Sequence, residues 1–161
     1  MTEAITTARL ELLPLRVEHA EEMAVVLADP ALHTFIGGAP STVDELRIRY
    51  RRLVAGSPDP STSWLNWVIS LDGRLTGTVQ ATVGPGPVAE IAWVVGTSWQ
   101  GRGIAKEAAR ALVEWLVRQQ IREVVAHVHP DHHASAAVAE AAGLVATEQW
   151  QDGERRFRYI Y

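Results

Sequence analysis

An alternating, strand-like run, Val88 to Val95, is followed within a few residues by Gln100-Gly101-Arg102-Gly103-Ile104-Ala105 and then by a one-sided helical pattern that reaches about Gln119. No other stretch restricts the fold as tightly. Ile104, Ala108, Leu112, Trp115 and Leu116 fall on one side of that helix. Arg110, Glu114 and Arg118 fall opposite at spacings of four, where ion-pair support is expected. The two glycines let the backbone turn tightly. The first N–H groups of the following helix lack internal partners, and its dipole adds partial positive charge. The result is a seat for an anion, best matched to phosphate, with Arg102 able to add a charge-assisted contact. Two glycines alone make no more than a tight turn, so the surroundings have to decide. A dinucleotide-binding Gly-x-Gly-x-x-Gly is excluded because Lys106 stands where its third glycine belongs, and the Gly-Lys-Ser/Thr of a nucleoside triphosphate loop is absent.

The flanking elements point to a mixed α/β sheet. Arg9 to Leu15 alternates as a first strand, and Val17 to Leu27 has helical spacing that stops before Asp29-Pro30. Phe35 to Pro40 reads as a loop, and Ser41 with Asp44 as the capping box of a second helix. Trp64–Ser70 and Leu75–Val83 form strands joined through Asp72-Gly73, a hairpin signal, and Val88–Val95 completes the meander. Val124–Val128 is an apolar strand and Ala134–Ala142 a short helix ended by Gly143. Leu144–Trp150 and Arg155–Ile160 close the chain around Asp152-Gly153. The expectation is one domain over residues 1–161, with a twisted sheet of about seven strands flanked by about four helices.

Composition removes whole classes of function. With 161 residues, 47% of them hydrophobic and 21% charged, the chain can bury a core and is not a disordered polymer. The formal charge of −4 argues against tracking a phosphate backbone, so no nucleic-acid partner is expected. The absence of cysteine rules out thiolate metal sites and a cysteine nucleophile. No apolar run reaches the ~18–20 residues of a membrane span, and Met1-Thr2-Glu3-Ala4 lacks the basic, apolar start of a secretory signal. No membrane partner and a cytoplasmic location are therefore expected.

His127-Val128-His129-Pro130-Asp131-His132 spells the metal-binding His-x-His-x-Asp-His of metallo-β-lactamase-like hydrolases. That chemistry needs further histidine ligands downstream, and none follows His133, so no metal is expected. Trp67, Trp93 and Trp115 fit core positions, whereas Trp64, Trp99 and Trp150 are candidates for a pocket wall.

Gln100, Gly103 and Ala105, spaced Gln-x-x-Gly-x-Ala after Glu90-Ile91-Ala92-Trp93-Val94-Val95, resemble the pyrophosphate-binding signature of the GCN5-related N-acetyltransferases (GNAT). His129-Pro130-Asp131-His132-His133-Ala134-Ser135 through Ala142-Gly143-Leu144 is similar to the family's second cofactor segment, and the early Phe35-Ile36-Gly37-Gly38 loop agrees. The resemblance covers nearly the whole chain and is nearest the ribosomal-protein N-terminal acetyltransferase branch.

The resemblance implies that acetyl-coenzyme A lies between the parallel strands Val88–Val95 and Val124–Val128 as they splay. Main-chain groups of Trp93, Val94 and Val95 would pair with its pantetheine arm. The loop residues Gln100, Gly101, Arg102, Gly103, Ile104 and Ala105 would hold its phosphates. An N–H at Val94 or Val95 would stabilise the oxygen on which charge develops during attack. Glu90 is the candidate base for the acceptor amine, and Ser135 the candidate hydroxyl for the leaving sulfur. The tyrosine common in the family has its matching position near Ala139. His132 stands where asparagine is common, and Phe35 and His127 are candidate acceptor contacts. Without cysteine, direct attack of a primary amine of a small molecule or a peptide N-terminus is the expected route. A catalytically silent acyl-coenzyme A-binding module is the alternative, and the sequence leaves both a monomer and a homodimer open.

Overall fold

A computed structural model describes residues 2–36 and 38–160. Met1, Gly37 and Tyr161 lie outside them, and with them part of the early loop read from the sequence. The strands are β1 (Ile5–Thr6), β2 (Leu10–Pro14), β3 (Ser63–Leu71), β4 (Arg74–Val83), β5 (Val88–Val95), β6 (Glu123–Val128), β7 (Val145–Gln151) and β8 (Glu154–Ile160). The helices are α1 (Ala20–Val26), α2 (His33–Ile36), α3 (Val43–Ala55), α4 (Ile104–Arg118) and α5 (His133–Ala141). All eight strands form one sheet in the order β1-β2-β3-β4-β5-β6-β8-β7, with β5 and β6 its one parallel pair among the described residues.

Local chemistry accounts for most of these elements. Asp72 and Gly73 both take positive φ, 51° and 79°, and close the β3–β4 hairpin; Asp152 and Gly153 repeat this between β7 and β8. Helix α4 buries eight residues. Leu112 and Leu116 are fully enclosed, each contributing about 1.5–3 kcal/mol. The meander, α4 and the closing hairpin follow the expected pattern within a residue or two.

Four expectations need correction. The sheet has an eighth strand, since two residues, Ile5–Thr6, add to its edge by pairing with Leu12 and Glu11; such a short pairing leaves no periodic trace. Phe35 lies in a helix rather than a loop, because Asp29 accepts the Ala31 N–H at 2.9 Å and starts a turn at Pro30 that runs on into α2. The capping box of α3 uses Thr42 and Glu45 rather than Ser41 and Asp44: Glu45 N–H donates to Thr42 Oγ1 at 3.1 Å and Thr42 N–H to Glu45 Oε1 at 2.8 Å. Arg110 does not pair along α4; it donates twice to the Ala141 carbonyl of α5, at 3.2 and 3.1 Å.

Two cores sit on opposite faces of the sheet. Helices α4 and α5 pack on the larger, where fully buried Trp67 meets Trp115 edge-on at 5.3 Å. Glu3 accepts both indole N–H groups, from Trp67 at 2.7 Å and from Trp115 at 2.8 Å. Helices α1 and α3 cover the second core, built around Met23, Leu46, Tyr50 and Val68.

Strand β5 stays in register with β4 as far as Val95, opposite Gly77. The absence of a side chain at Gly77 is what permits this closeness, since a Cβ there would stand 2.1 Å from the Val94 carbonyl oxygen and 2.9 Å from Val95 Cα. We expect Gly77→Ala to force β5 outward and cost about 1–3 kcal/mol, read by urea denaturation; a midpoint equal to that of the native chain would show that β5 is not held this tightly.

Candidate active site

The two parallel strands keep company only briefly. Val88, Ala89 and Glu90 pair with Glu123, Val124 and Val125, and the ladder ends there. Beyond it β5 follows β4 to Val95, while β6 follows β8 to Val128. The backbone of Ile91–Val95 therefore faces a wedge-shaped gap in the middle of the sheet. Main-chain groups so placed need partners.

Helix α4 opens beside the gap. Gly101 and Gly103 are left-handed, with φ of 80° and 75°, and Gly103 is the N-cap. The first bond of the helix runs from Glu107 N–H to Gly103 O at 3.0 Å, so the N–H groups of Ile104, Ala105 and Lys106 are free for a ligand. Gap and helix mouth share one cavity of about 560 Å³. Trp93, Val94 and Val95 line it from β5, Gln100 to Lys106 from the turn and first helical residues apart from Arg102, and Ser135 and Val138 from α5 together with its N-cap His132. Arg102 and Arg74 lie over the Trp99 ring, 5.1 and 4.9 Å from its centre, which places two guanidinium groups at the rim.

The mouth is braced by residues the sequence did not single out. Arg9, immediately before β2, donates from Nε to Glu107 Oε1 at 2.8 Å and from Nη2 to the Arg102 carbonyl at 2.9 Å. Its own N–H and the Thr7 hydroxyl both reach Glu107 Oε2, at 3.0 and 2.5 Å. Burial pushes the Glu107 carboxyl up, but the hydrogen bonds from Thr7 and Arg9 and the arginine charge outweigh it and hold the group below its ordinary value. An acid in the first turn would repel an incoming phosphate, and Arg9 offsets that charge. Because Arg9 and Glu107 are 98 positions apart, no local pattern could reveal the pair.

Each residue expected at the site has a definite place. Gln100 turns its side chain inward, donating from Nε2 to the Val95 carbonyl at 3.0 Å, and so ties the turn to the end of β5. The Ile104 side chain is buried in the core. Ser135 stands in the cavity wall, in the first turn of α5, whereas Ala139 is buried in the core. Phe35 also lines this cavity, stacked on His132 with ring centres 4.3 Å apart and 11° between planes, and 5.1 Å from His129. Burial, and then the neighbouring His129, hold His132 below its ordinary value, which favours the neutral ring against Phe35. Trp99 walls the cavity, and Trp93 is partly buried and reaches it too, while Trp150 is largely exposed.

Glu90 lies outside the cavity, on the sheet face carrying Ala92, at the point where β5 and β6 part. Its Oε2 is 3.1 Å from His127 Nδ1, and the carboxylate is half exposed while the imidazole is 93% enclosed. A carboxylate partner favours the tautomer with the proton on Nδ1. The histidines that spell a metal signature diverge: His127 turns to Glu90, His129 Nδ1 accepts the Asp131 N–H at 3.1 Å, and His132 stacks on Phe35. Among the described residues, no three histidine, aspartate or glutamate side chains converge as a metal site. Nor is any helix among them long and apolar enough to cross a membrane.

Residues 9–145 match the acetyltransferase (GNAT) domain, and the chain belongs to that family. It is 29% identical over 153 residues to the FsC-acetyl coenzyme A-N(2)-transacetylase of Aspergillus fumigatus; the match covers 88% of this chain but only 65% of that longer protein. Among solved structures, an acetyltransferase from Agrobacterium tumefaciens superposes with a TM-score of 0.78 at 27% identity, covering 100% of this chain and 96% of that one. An acetyltransferase from Salmonella typhimurium that modifies the N-terminal serine of a 50S ribosomal subunit protein gives 0.80 at 20% identity, covering 99% of both chains. At that identity the likeness is one of fold.

The Glu107 brace has a pH signature. Its folded-state value lies below that of the unfolded chain, so its stabilisation is complete above the unfolded value and fades as pH falls through the folded one. Melting temperatures of the native chain and Glu107→Gln, followed from pH 7 to pH 3 (roughly the carboxylate range), should differ most at neutral pH and converge in acid. A constant difference would show that the charge of Glu107 is not what braces the loop.

Proposed function

We propose that this chain transfers the acetyl group of acetyl-coenzyme A directly to a primary amine. One observation carries the reading: the parting of β5 from β6 and the free N–H groups of α4 open into the same cavity. A ligand that needs both a strand-like partner for an amide-bearing arm and a seat for a diphosphate matches that combination. The Aspergillus relative, named for acetyl-coenzyme A, supports the donor.

The roles follow from position. The free N–H groups of Ile104, Ala105 and Lys106 hold the diphosphate, with Arg102 adding charge from the rim. The open edge at Trp93, Val94 and Val95 aligns the pantetheine arm, and an N–H of Val94 or Val95 stabilises the oxygen of the tetrahedral intermediate. Glu90, exposed and steered by His127, takes the proton of the attacking amine. The nitrogen then bonds to the thioester carbon, and the carbon–sulfur bond breaks. The thiolate leaves and is protonated by solvent or by the Ser135 hydroxyl in the same wall. Thiols have pKa values near ~8.5, so this last proton needs little help.

The acceptor is a small molecule or a peptide N-terminus; the Salmonella enzyme, whose acceptor is an N-terminal serine, supports the second as a class. Isothermal titration with acetyl-coenzyme A, followed by thiol release across a panel of amines, tests the whole reading. Binding with release by at least one amine is expected, and tight binding with release by none would make the chain an acyl-coenzyme A-binding module instead.

Two substitutions separate the parts. Gly103→Val should abolish coenzyme A binding, because the side chain strains a backbone at φ 75° and blocks the approach of the phosphates; retained binding would empty the proposed diphosphate seat. Glu90→Gln should lower kcat by about 10²–10⁴-fold, the range typical of a lost general base, with acetyl-coenzyme A affinity unchanged. Equal turnover at every pH would remove Glu90 from that role.

A further inference from the structure

A second cavity, of about 110 Å³, lies between α3 and the sheet, and it shares Leu32 and Val94 with the larger one. It therefore borders the point on β5 where the thioester is proposed to sit. Asn66 and Gln80 face each other across β3 and β4 on its floor, and Gln80 stands opposite Ala92, two residues from Glu90. Arg49 of α3 forms part of the wall.

The charge of this lining is unexpected for a site that receives an amine. No aspartate or glutamate among the described residues contributes to it. Arg49 has neither an ion pair nor a hydrogen bond within the described residues, and the side-chain amides of Asn66 and Gln80 are equally unengaged. Arg47, two positions away, is by contrast held by Glu21 at 2.7 Å and Asp44 at 2.9 Å. The phenol of Tyr50, beside Arg49, is pushed up by burial and pulled back by the arginine charge, so at neutral pH it offers a proton rather than a negative charge. The polar lining thus consists of two amides, the hydroxyls of Ser41, Tyr50 and Thr78, the His33 imidazole and one guanidinium, with no carboxylate among the described residues, while the carboxylate suited to an ammonium, Glu90, stands outside it on the adjoining strand.

Resting on the proposed acetyl transfer, we infer that the acceptor is a small amine that also carries a carboxylate, an amino-acid-like molecule whose acid group enters this cavity and pairs with Arg49. The amine would then project over Ala92 toward Glu90 and the thioester. A guanidinium matches a carboxylate with two parallel hydrogen bonds, which an ammonium on a lysine could not supply. The volume, on the order of a few water molecules, holds an acid group and a few carbons but not a folded segment of protein.

Free amino acids compared with their C-terminal amides decide the matter, because amidation removes the charge and imitates the first residue of a peptide. At saturating acetyl-coenzyme A, kcat/KM for the preferred acid should exceed that for its amide about 10-fold or more, through KM. Arg49→Gln should erase that preference by raising KM for the acid alone, while Arg52→Gln, which alters the same helix outside the cavity, should preserve it. Equal use of acid and amide, preference for the amide, or an equal loss for both in Arg49→Gln would overturn the inference while leaving acetyl transfer intact. Calorimetric binding of the same acids and amides to the coenzyme A-loaded protein reads the preference without turnover. If no amine is acetylated the proposed function fails, and the acid–amide difference in binding, present or absent, still decides the role of Arg49.

Discussion

The molecule is organised around a sheet that opens along its own middle. An eight-stranded sheet gains most when every backbone group in its interior is paired, yet β5 and β6 separate after three residue pairs. Each strand is held by its other neighbour: β4 keeps β5 through Val95, and β8 keeps β6 through Val128. Gly77 lets β4 approach the carbonyl of Val94 so closely that β5 cannot swing back toward β6 without losing that register. The unpaired backbone between them is the edge proposed to pair with an extended, amide-bearing ligand.

The helix that crosses from β5 to β6 starts at the mouth of the gap, so one stretch of chain supplies both a strand edge and the proposed anion seat. Keeping the seat positive requires control of the acid in its first turn. Arg9 and Thr7 provide it from the far end of the sequence, and the same arginine holds the Arg102 carbonyl. Gln100 performs a related task from within, fastening the turn to Val95. The opposite wall is closed by an aromatic contact, Phe35 on His132, that joins the early helices to the start of α5. Loop, helix and strand are thus fixed by three separate contacts, which favours a preformed cavity.

The two sides of the sheet divide the labour. One face carries α4, α5 and the proposed donor site; the other carries Glu90 and, under α1 and α3, the smaller cavity with Arg49. Val94 belongs to both cavities, so the strand proposed to align the donor also bounds the proposed acceptor pocket. Glu90 and His127 stand where the strands part, and the enclosed imidazole restricts the orientation of the exposed carboxylate.

Much of this could be read from the amino acids, and the reasons are local. Period-two runs gave the meander, period-3.6 spacing gave α4, and Asp72-Gly73 and Asp152-Gly153 gave the hairpins, because each signal involves neighbours a few residues apart. Gly101 and Gly103 declared a tight turn before a helix, which the structure shows to be left-handed at both glycines, and the proposed anion seat follows from the free amides of any helix start. What the chain could not declare were interactions whose partners are distant in sequence: the brace of Arg9 on Glu107, the stack of Phe35 on His132, the pairing of Glu90 with His127. The edge strand Ile5–Thr6 and helix α2 were hidden for a related reason, since segments this short take their conformation from what they pack beside or bond to. Local sequence determined most of the strands, turns and helices, and a glycine turn that leaves the first amides of a helix free. Only the tertiary structure decided which side chains meet across the gap, because those contacts depend on how far two strands part, a quantity set by their outer neighbours and by nothing within either strand.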